Sequence, residues 1–325
     1  MHSFTSKKSW SVGLVAAMSS LSMACAAQEP ESAKVAEALG AQGVSSEALW
    51  GLTCPTGGSM FAPGEVSLPE RSEYRLTFSA DGNTAYYHVD AAEAPFQAIY
   101  ETHKVNGHFT PGQMVSFSGT YLDTDPFLSP DGQSLFFSST RPITGTEERP
   151  DSDLWVVHKL ADGSWGAPQH LGPNINSDRM ELYVSADRAG NLYYASGTFD
   201  SDFNIYRAER RGPGYAPAQK LPIAINSDDF WEYNSHISAD GRVLIFASLN
   251  RPEGHGLGDL YASLNLGGGR WTKAINLGPK VNTEKDEFHP SLSVDGRRLY
   301  FVRQTWNPFV PSDFYELDTY CLLFQ

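Results

Sequence analysis

Five stretches of this chain read as copies of one another: LTFSADGNTAYY (76–87), FLSPDGQSLFF (127–137), YVSADRAGNLYY (183–194), HISADGRVLIF (236–246) and SLSVDGRRLYF (291–301). Their aspartates, Asp81, Asp131, Asp187, Asp240 and Asp295, recur every 50 to 56 residues. A period of that length means stacked supersecondary units, each burying its faces against its neighbours. Asp-Gly in four copies is a tight-turn signal between two antiparallel strands. The third copy has Asp187-Arg188-Ala189-Gly190 in that place. An aromatic third strand follows about 20 residues later (DLWVV 153–157, NIYRA 204–208, DLYAS 259–263, DFYEL 313–317), and then a segment with a Gly-aromatic start. Four short antiparallel strands per repeat make a propeller blade. The fold expected is all-β: one five-bladed β-propeller of four-stranded antiparallel blades over residues 50–325, with six blades as the alternative.

Blade five runs out of chain after its third strand. Its outer strand is expected from the N-terminal segment 59–73, so that strands from both termini close the ring and remove the last free sheet edge. Cys54 precedes that segment and Cys321 ends its expected neighbour. They are read as a disulfide, which an exported protein permits.

The run NINSDRMELYVSAD (174–187), matched by VNTEKDEFHPSLSVD (281–295), resembles the TolB-type propeller repeat of exported bacterial proteins, over roughly residues 56–325. TolB itself has more blades. The resemblance implies a fold rather than an activity, since such propellers serve as scaffolds, binding proteins and enzymes. Oligogalacturonate lyases, built on similar repeats, use channel histidines with a metal.

The N-terminus supports export. Lys7 and Lys8 precede an apolar stretch, residues 10–24, that is too short to span a bilayer. Residues 1–24 read as a signal peptide. Leu21 to Cys25 resembles a lipobox, with Cys25 as the lipidated residue and simple cleavage after Ala26 or Ala27 as the alternative. Residues 25–49, rich in Ala, Glu and Ser, read as a flexible tether. The expected location is periplasmic, or anchored to the outer membrane as a lipoprotein, with membrane contact only through the lipid and the protein a monomer. A net charge of −14 sets nucleic acid aside as a partner.

Alternation along the first strand of each blade places polar residues at even steps before the turn Asp, on one face. Fivefold pseudosymmetry then gathers them around one axis. Glu73, Asp125, Glu181, Glu232 and Glu287 are expected at the strand starts, clustered at the mouth opposite the Asp-Gly turns, with His236 and His289 on neighbouring blades. Two readings follow. In the structural one, which ranks first, the acids bond backbone amides and pair with Arg141, Arg251 and Arg303 at the ends of second strands. In the sharper one they form a ligand site, contacted by those arginines and by Trp231 at the rim. A divalent metal ion on His236, His289 and Glu287 is part of that reading, because imidazole with carboxylate is a plausible set of ligands. His88 joins only if its side chain turns inward. No GxSxG, Walker, CxxC or HExxH signature is present. The function expected is a binding or scaffold module for a peptide, glycan or envelope protein; a lyase or hydrolase with a His/Glu channel site is the alternative.

Overall fold

A computed structural model of the chain describes residues 34–35, 37–38, 54–90 and 97–324. Residues 1–24, read as a signal peptide, and Cys25 lie outside the described residues. Each repeat forms its own antiparallel sheet, and the sheets are arranged as the five blades of a β-propeller. Inner to outer, blade 1 is Ser72–Phe78, Thr84–Asp90, Ala98–Val105 and the short pair His108–Phe109 and Gln113–Met114. Blade 2 is Asp123–Leu128, Ser134–Ser139, Asp153–His158 and Gln169–His170; blade 3 is Met180–Ala186, Leu192–Gly197, Phe203–Ala208 and Gln219–Lys220. Blade 4 is Glu232–Ile237, Val243–Leu249 and Gly258–Gly267, edged by Arg270–Trp271 and Ile275–Asn276. Blade 5 takes Asp286–Leu292, Arg298–Trp306 and Phe309–Asp318 from the C-terminal end, and its outer strand, Ser59–Met60, from the other.

One aromatic of each second strand fills the blade interior: Tyr87, Phe137, Tyr194, Phe246 and Phe301 are all buried. Four of them stack on a third-strand tyrosine, with ring centroids 6.0–6.3 Å apart. The Ile/Val-Asn-Ser/Thr motif between blades also has a mechanical role. Asn176, Asn226 and Asn282 each accept from and donate to the backbone of the preceding blade's third strand, at Leu154, Ile205 and Leu260. These buried amides satisfy backbone groups that would otherwise be orphaned between sheets.

The turns correct one alignment. In four blades a Ser hydroxyl donates to the turn Asp, and the Gly N–H donates back to that Ser carbonyl. In blade 3 the Gly190 N–H donates to the Asp187 carbonyl, and Asp187 Oδ1 accepts the Asn191 N–H. Asp187 therefore stands where the others have Ser, and matching it to the turn aspartates puts that repeat two residues out of register.

Ring closure uses less chain than the segment 59–73. Ser59 pairs with Glu316 and Met60 with Tyr315, and the Phe61 N–H donates to the Phe314 carbonyl. Cys54 and Cys321 are disulfide-bonded, with Cα atoms 5.5 Å apart across 267 residues of sequence. Within the stretch read as a tether, Val35 is buried, with Ala38 beside it, against the core shared by blades 1, 4 and 5.

Candidate functional site

Every inner strand carries a bulge, and the bulge decides what reaches the axis. In blade 4, Glu232 lies opposite Ser248 and Tyr233 opposite Ala247, but His236 lies opposite Ile245. The one extra residue flips the alternation, so Glu232 and His236 occupy opposite faces rather than one. The same shift occurs in the other four blades. At each bulge one non-glycine residue is left-handed: Arg75, Asp125, Tyr183, Asn234 and His289, with φ between 48° and 62°. Such conformations cost of order 1–3 kcal/mol each and persist where surrounding structure imposes them.

Two residues before each bulge residue sits an acid: Glu73, Asp123, Glu181, Glu232 and Glu287, all fully buried. The blade 2 member of this set is Asp123, and Asp125 belongs to the bulge set. Glu232 accepts from the Ser227 N–H and hydroxyl, Ser248 Oγ and Arg251 Nη2, the last at 2.6 Å. Glu287 accepts from the Thr283 N–H and hydroxyl and from Arg303 Nε at 2.5 Å. Glu181 has Ser177 and Ser196, Asp123 has Ser139 and Arg141, and Glu73 has Arg71. The guanidinium groups of Arg251 and Arg303 lie over Tyr261 and Tyr315, 4.6 and 4.1 Å from the ring centroids. Asp123, Glu232 and Glu287 thus pair with Arg141, Arg251 and Arg303, while Glu73 holds Arg71 and Glu181 is satisfied by serines.

The bulge residues build the centre. Arg75 is fully buried and reaches across the axis. Its Nη2 donates to the carbonyls of Val184 and Ser235, at 2.8 and 2.9 Å, and its Nη1 donates to Pro290 at 3.5 Å. One side chain of blade 1 therefore ties blades 3, 4 and 5. Burial draws the Arg75 pKa down to about 10, while the nearby Asp125 charge works against that. Asp125 Oδ1 is 3.4 Å from His289 Nδ1 and 3.7 Å from His88 Nδ1, with no hydrogen bond to either. His88 Nδ1 accepts the Asp125 N–H, which puts the His88 ring proton on Nε2. Burial pushes His88 down to about 3 and His289 well below its usual range, so both rings are neutral at physiological pH.

Above this floor, at the mouth opposite the Asp-Gly turns, opens a cavity of about 570 Å³, within the range of small-molecule sites. Asp125, Tyr183, Asn234 and His289 line its base with His88; Trp231, Phe199, Trp306 and Phe288 are among the rings of its wall. Trp306 Nε1 donates to Asp286 Oδ2 at 2.8 Å, and Trp231 Nε1 donates to the Ser201 carbonyl. Gly258 presses on Asp286: a Cβ there would stand 2.2 Å from Asp286 Oδ1.

Of the residues singled out in the sequence, the structure brings Asp125, His289 and Trp231 together at this cavity. His236 lies further down the axis, its Nε2 accepting the Leu292 N–H. Glu181, Glu232, Glu287, Arg141, Arg251 and Arg303 do not line it. Glu287, engaged by Arg303 and Thr283, is apart from both histidines of the expected metal set. Among the described residues, no group of three or more His, Cys, Asp or Glu could hold a metal ion. Alternation puts Arg75 and Tyr183 on the channel face without giving them a role, Trp306 reads as core, and Asp286 is missed altogether; His88 does turn inward.

The chain matches no protein-family model and no curated protein. Its structure is similar to many solved ones, among them the following three at TM-score 0.50. A putative TolB from Agrobacterium tumefaciens is 15% identical, over 76% of this chain and 77% of that one. A GH43 endo-arabinanase from Bacillus licheniformis is 12% identical, over 78% and 96%. The catalytic domain of a GH62 α-L-arabinofuranosidase from Coprinopsis cinerea is 9% identical, over 82% and 98%. The likeness is one of fold.

Asp125 gives the site a pH signature. Burial pushes its carboxyl up to about 7, against the pull of Arg75, whereas an unfolded Asp titrates near 3.9. The folded state then holds this proton more tightly, so Asp125 favours folding at low pH and loses that contribution as pH rises through about 7. Asp125→Asn cannot titrate. Relative to the parent, its stability is expected to rise between about pH 4 and pH 7 by up to ~1.4 kcal/mol per pH unit. Urea unfolding across that range reads it directly, and parallel curves for the two proteins would contradict it.

Proposed function

We propose that the chain is an exported propeller that works as a binding module, holding a small ligand, or the end group of a peptide or glycan, in the aromatic cavity at the mouth. One observation carries this reading. The cavity combines aromatic walls with a polar base in which Asp125 Oδ1, His289 Nδ1 and Asn234 Nδ2 have no hydrogen-bond partner in the protein. Buried polar atoms of a native site normally find one, and a ligand supplies it. Export is supported by the Cys54–Cys321 disulfide. In this reading residues 1–24 are the signal, Cys25 is the lipid attachment point and residues 25–49 join it to the propeller, with Val35 and Ala38 docked on the core, placing the propeller in the periplasm or on the outer membrane.

Glycoside hydrolysis, which usually takes a pair of carboxylates across the scissile bond, is the second reading, because Asp125 and Asp286 both line the cavity. The test is tryptophan emission, since Trp231 and Trp306 line the cavity. Titration with panels of peptides, glycans and small metabolites is expected to find a ligand whose affinity falls at least tenfold in Trp231→Ala and in His289→Ala. A ligand indifferent to both substitutions would place binding elsewhere, and turnover of the ligand would favour the enzyme.

A further inference from the structure

The same cavity indicates what kind of ligand it takes, an inference that rests on the binding reading above. Two carboxylates line it, Asp125 and Asp286, both more than nine-tenths buried. No Lys or Arg lines it. Arg75, the cation nearest the base, is fully buried and turned away from the cavity, with its Nη atoms committed to carbonyls of blades 3, 4 and 5. The Asp286 carboxylate accepts the Trp306 indole N–H and lies near the Gly258 backbone and Tyr233, and among the described residues no Lys or Arg pairs with it. Much of the rest of the lining is ring surface, joined by aliphatic side chains such as Leu122, Met180, Leu182 and Leu257. Tyr74, His289, Tyr183 and Tyr233 follow one another with centroids 5.4–6.0 Å apart, and Trp231 and Trp306 stand at the rim.

An uncompensated carboxylate inside a box of aromatic faces favours positive charge twice, through the carboxylate and through the ring quadrupoles. A metal ion would want a convergent set of oxygen and nitrogen ligands, which the described residues do not assemble. An ammonium carried on an apolar body needs only the faces and one counter-charge. We infer that the mouth cavity binds an organic ammonium cation, with Asp286 as its counter-ion and the surrounding rings as its cage.

The experiment is isothermal titration of the purified full propeller with three probes of one shape. These are choline, its neutral isostere with a tert-butyl group in place of trimethylammonium, and the corresponding tert-butyl carboxylate. Choline is expected to bind at least tenfold more tightly than the neutral isostere, and the carboxylate not at all. Asp286→Asn keeps the shape and an acceptor for Trp306, and is expected to weaken choline at least tenfold while leaving the neutral isostere unchanged. Trp306→Phe, which keeps a ring but not the N–H, is expected to retain most of the choline affinity. Equal affinity for the cation and its neutral isostere, choline binding indifferent to Asp286→Asn, or no binding of choline would each overturn the assignment. If choline fails while a neutral glycan binds and is lost in Trp231→Ala, the binding reading survives and only the cation falls. If nothing binds in a Trp231-dependent way, both fall.

Discussion

Reduction of the Cys54–Cys321 bond is expected to lower the melting temperature by about 10–20 °C. In the chain-entropy treatment, a link across 267 residues restricts the unfolded chain by about 5 kcal/mol. In a domain of this size each kcal/mol shifts the midpoint by about 2–4 °C. The native side supports a large effect. The N-terminal contribution to blade 5 is a strand of two residues, Ser59–Met60, so few backbone bonds hold the last sheet edge once the covalent tie is gone. Scanning calorimetry with and without reductant tests this, and Cys54→Ser with Cys321→Ser should reproduce the reduced value. A shift below about 2 °C would mean that strand pairing alone closes the ring.

Arg75→Met should destabilise the fold by about 3–5 kcal/mol, since each buried carbonyl left without its donor costs about 1–3 kcal/mol. The substitution keeps most of the side-chain volume, so the loss is not a cavity effect. It leaves the carbonyls of Val184 and Ser235 without the guanidinium donor, and it removes the charge that holds the Asp125 carboxyl down, so that Asp125 keeps its proton to higher pH. Arg75→Lys should recover little, because an ammonium cannot reproduce the planar fork that spans carbonyls of separate blades. In the double variant with Asp125→Asn the carboxylate is neutralised, and part of the loss should return. Denaturant unfolding of the four proteins forms a cycle. Additive effects would show that Arg75 and Asp125 do not sense each other; a loss below about 1 kcal/mol in the single variant would remove Arg75 from its central role.

Architecture was legible because it rests on features that sequence carries openly. The Asp-Gly turns, the aromatic third strands and the unmatched final blade gave five sheets and the disulfide, since turn chemistry and burial follow from residue type. The centre was legible only in part, and the reason is local. Alternation assumes an unbroken period of two, and the bulge between Tyr233 and His236, like its four counterparts, inserts one residue in mid-strand. Reading straight through it placed Glu232 with His236, and put Asp125 where Asp123 stands. No residue type announces the bulge: Arg75, Asp125, Tyr183, Asn234 and His289 have nothing in common except their backbone conformation. Alternation does place Arg75 on the channel face, but residue type says nothing of its reach, and only the structure shows its guanidinium meeting carbonyls of blades 3, 4 and 5.

The outer strand of blade 5 also sets the order in which the molecule can be completed. Synthesis proceeds from the N-terminus, so Ser59–Met60 is made before any blade exists, while its partner Phe309–Asp318 is made almost at the end. Until then the growing chain is an arc with two loose ends, whose blades can pair internally but cannot meet around the axis. That strand waits through four blades for its neighbour. A ribosome-stalled chain lacking residues beyond 308 would hold four sheets and an unclosed seam, and such seams are where nascent chains recruit chaperones or one another.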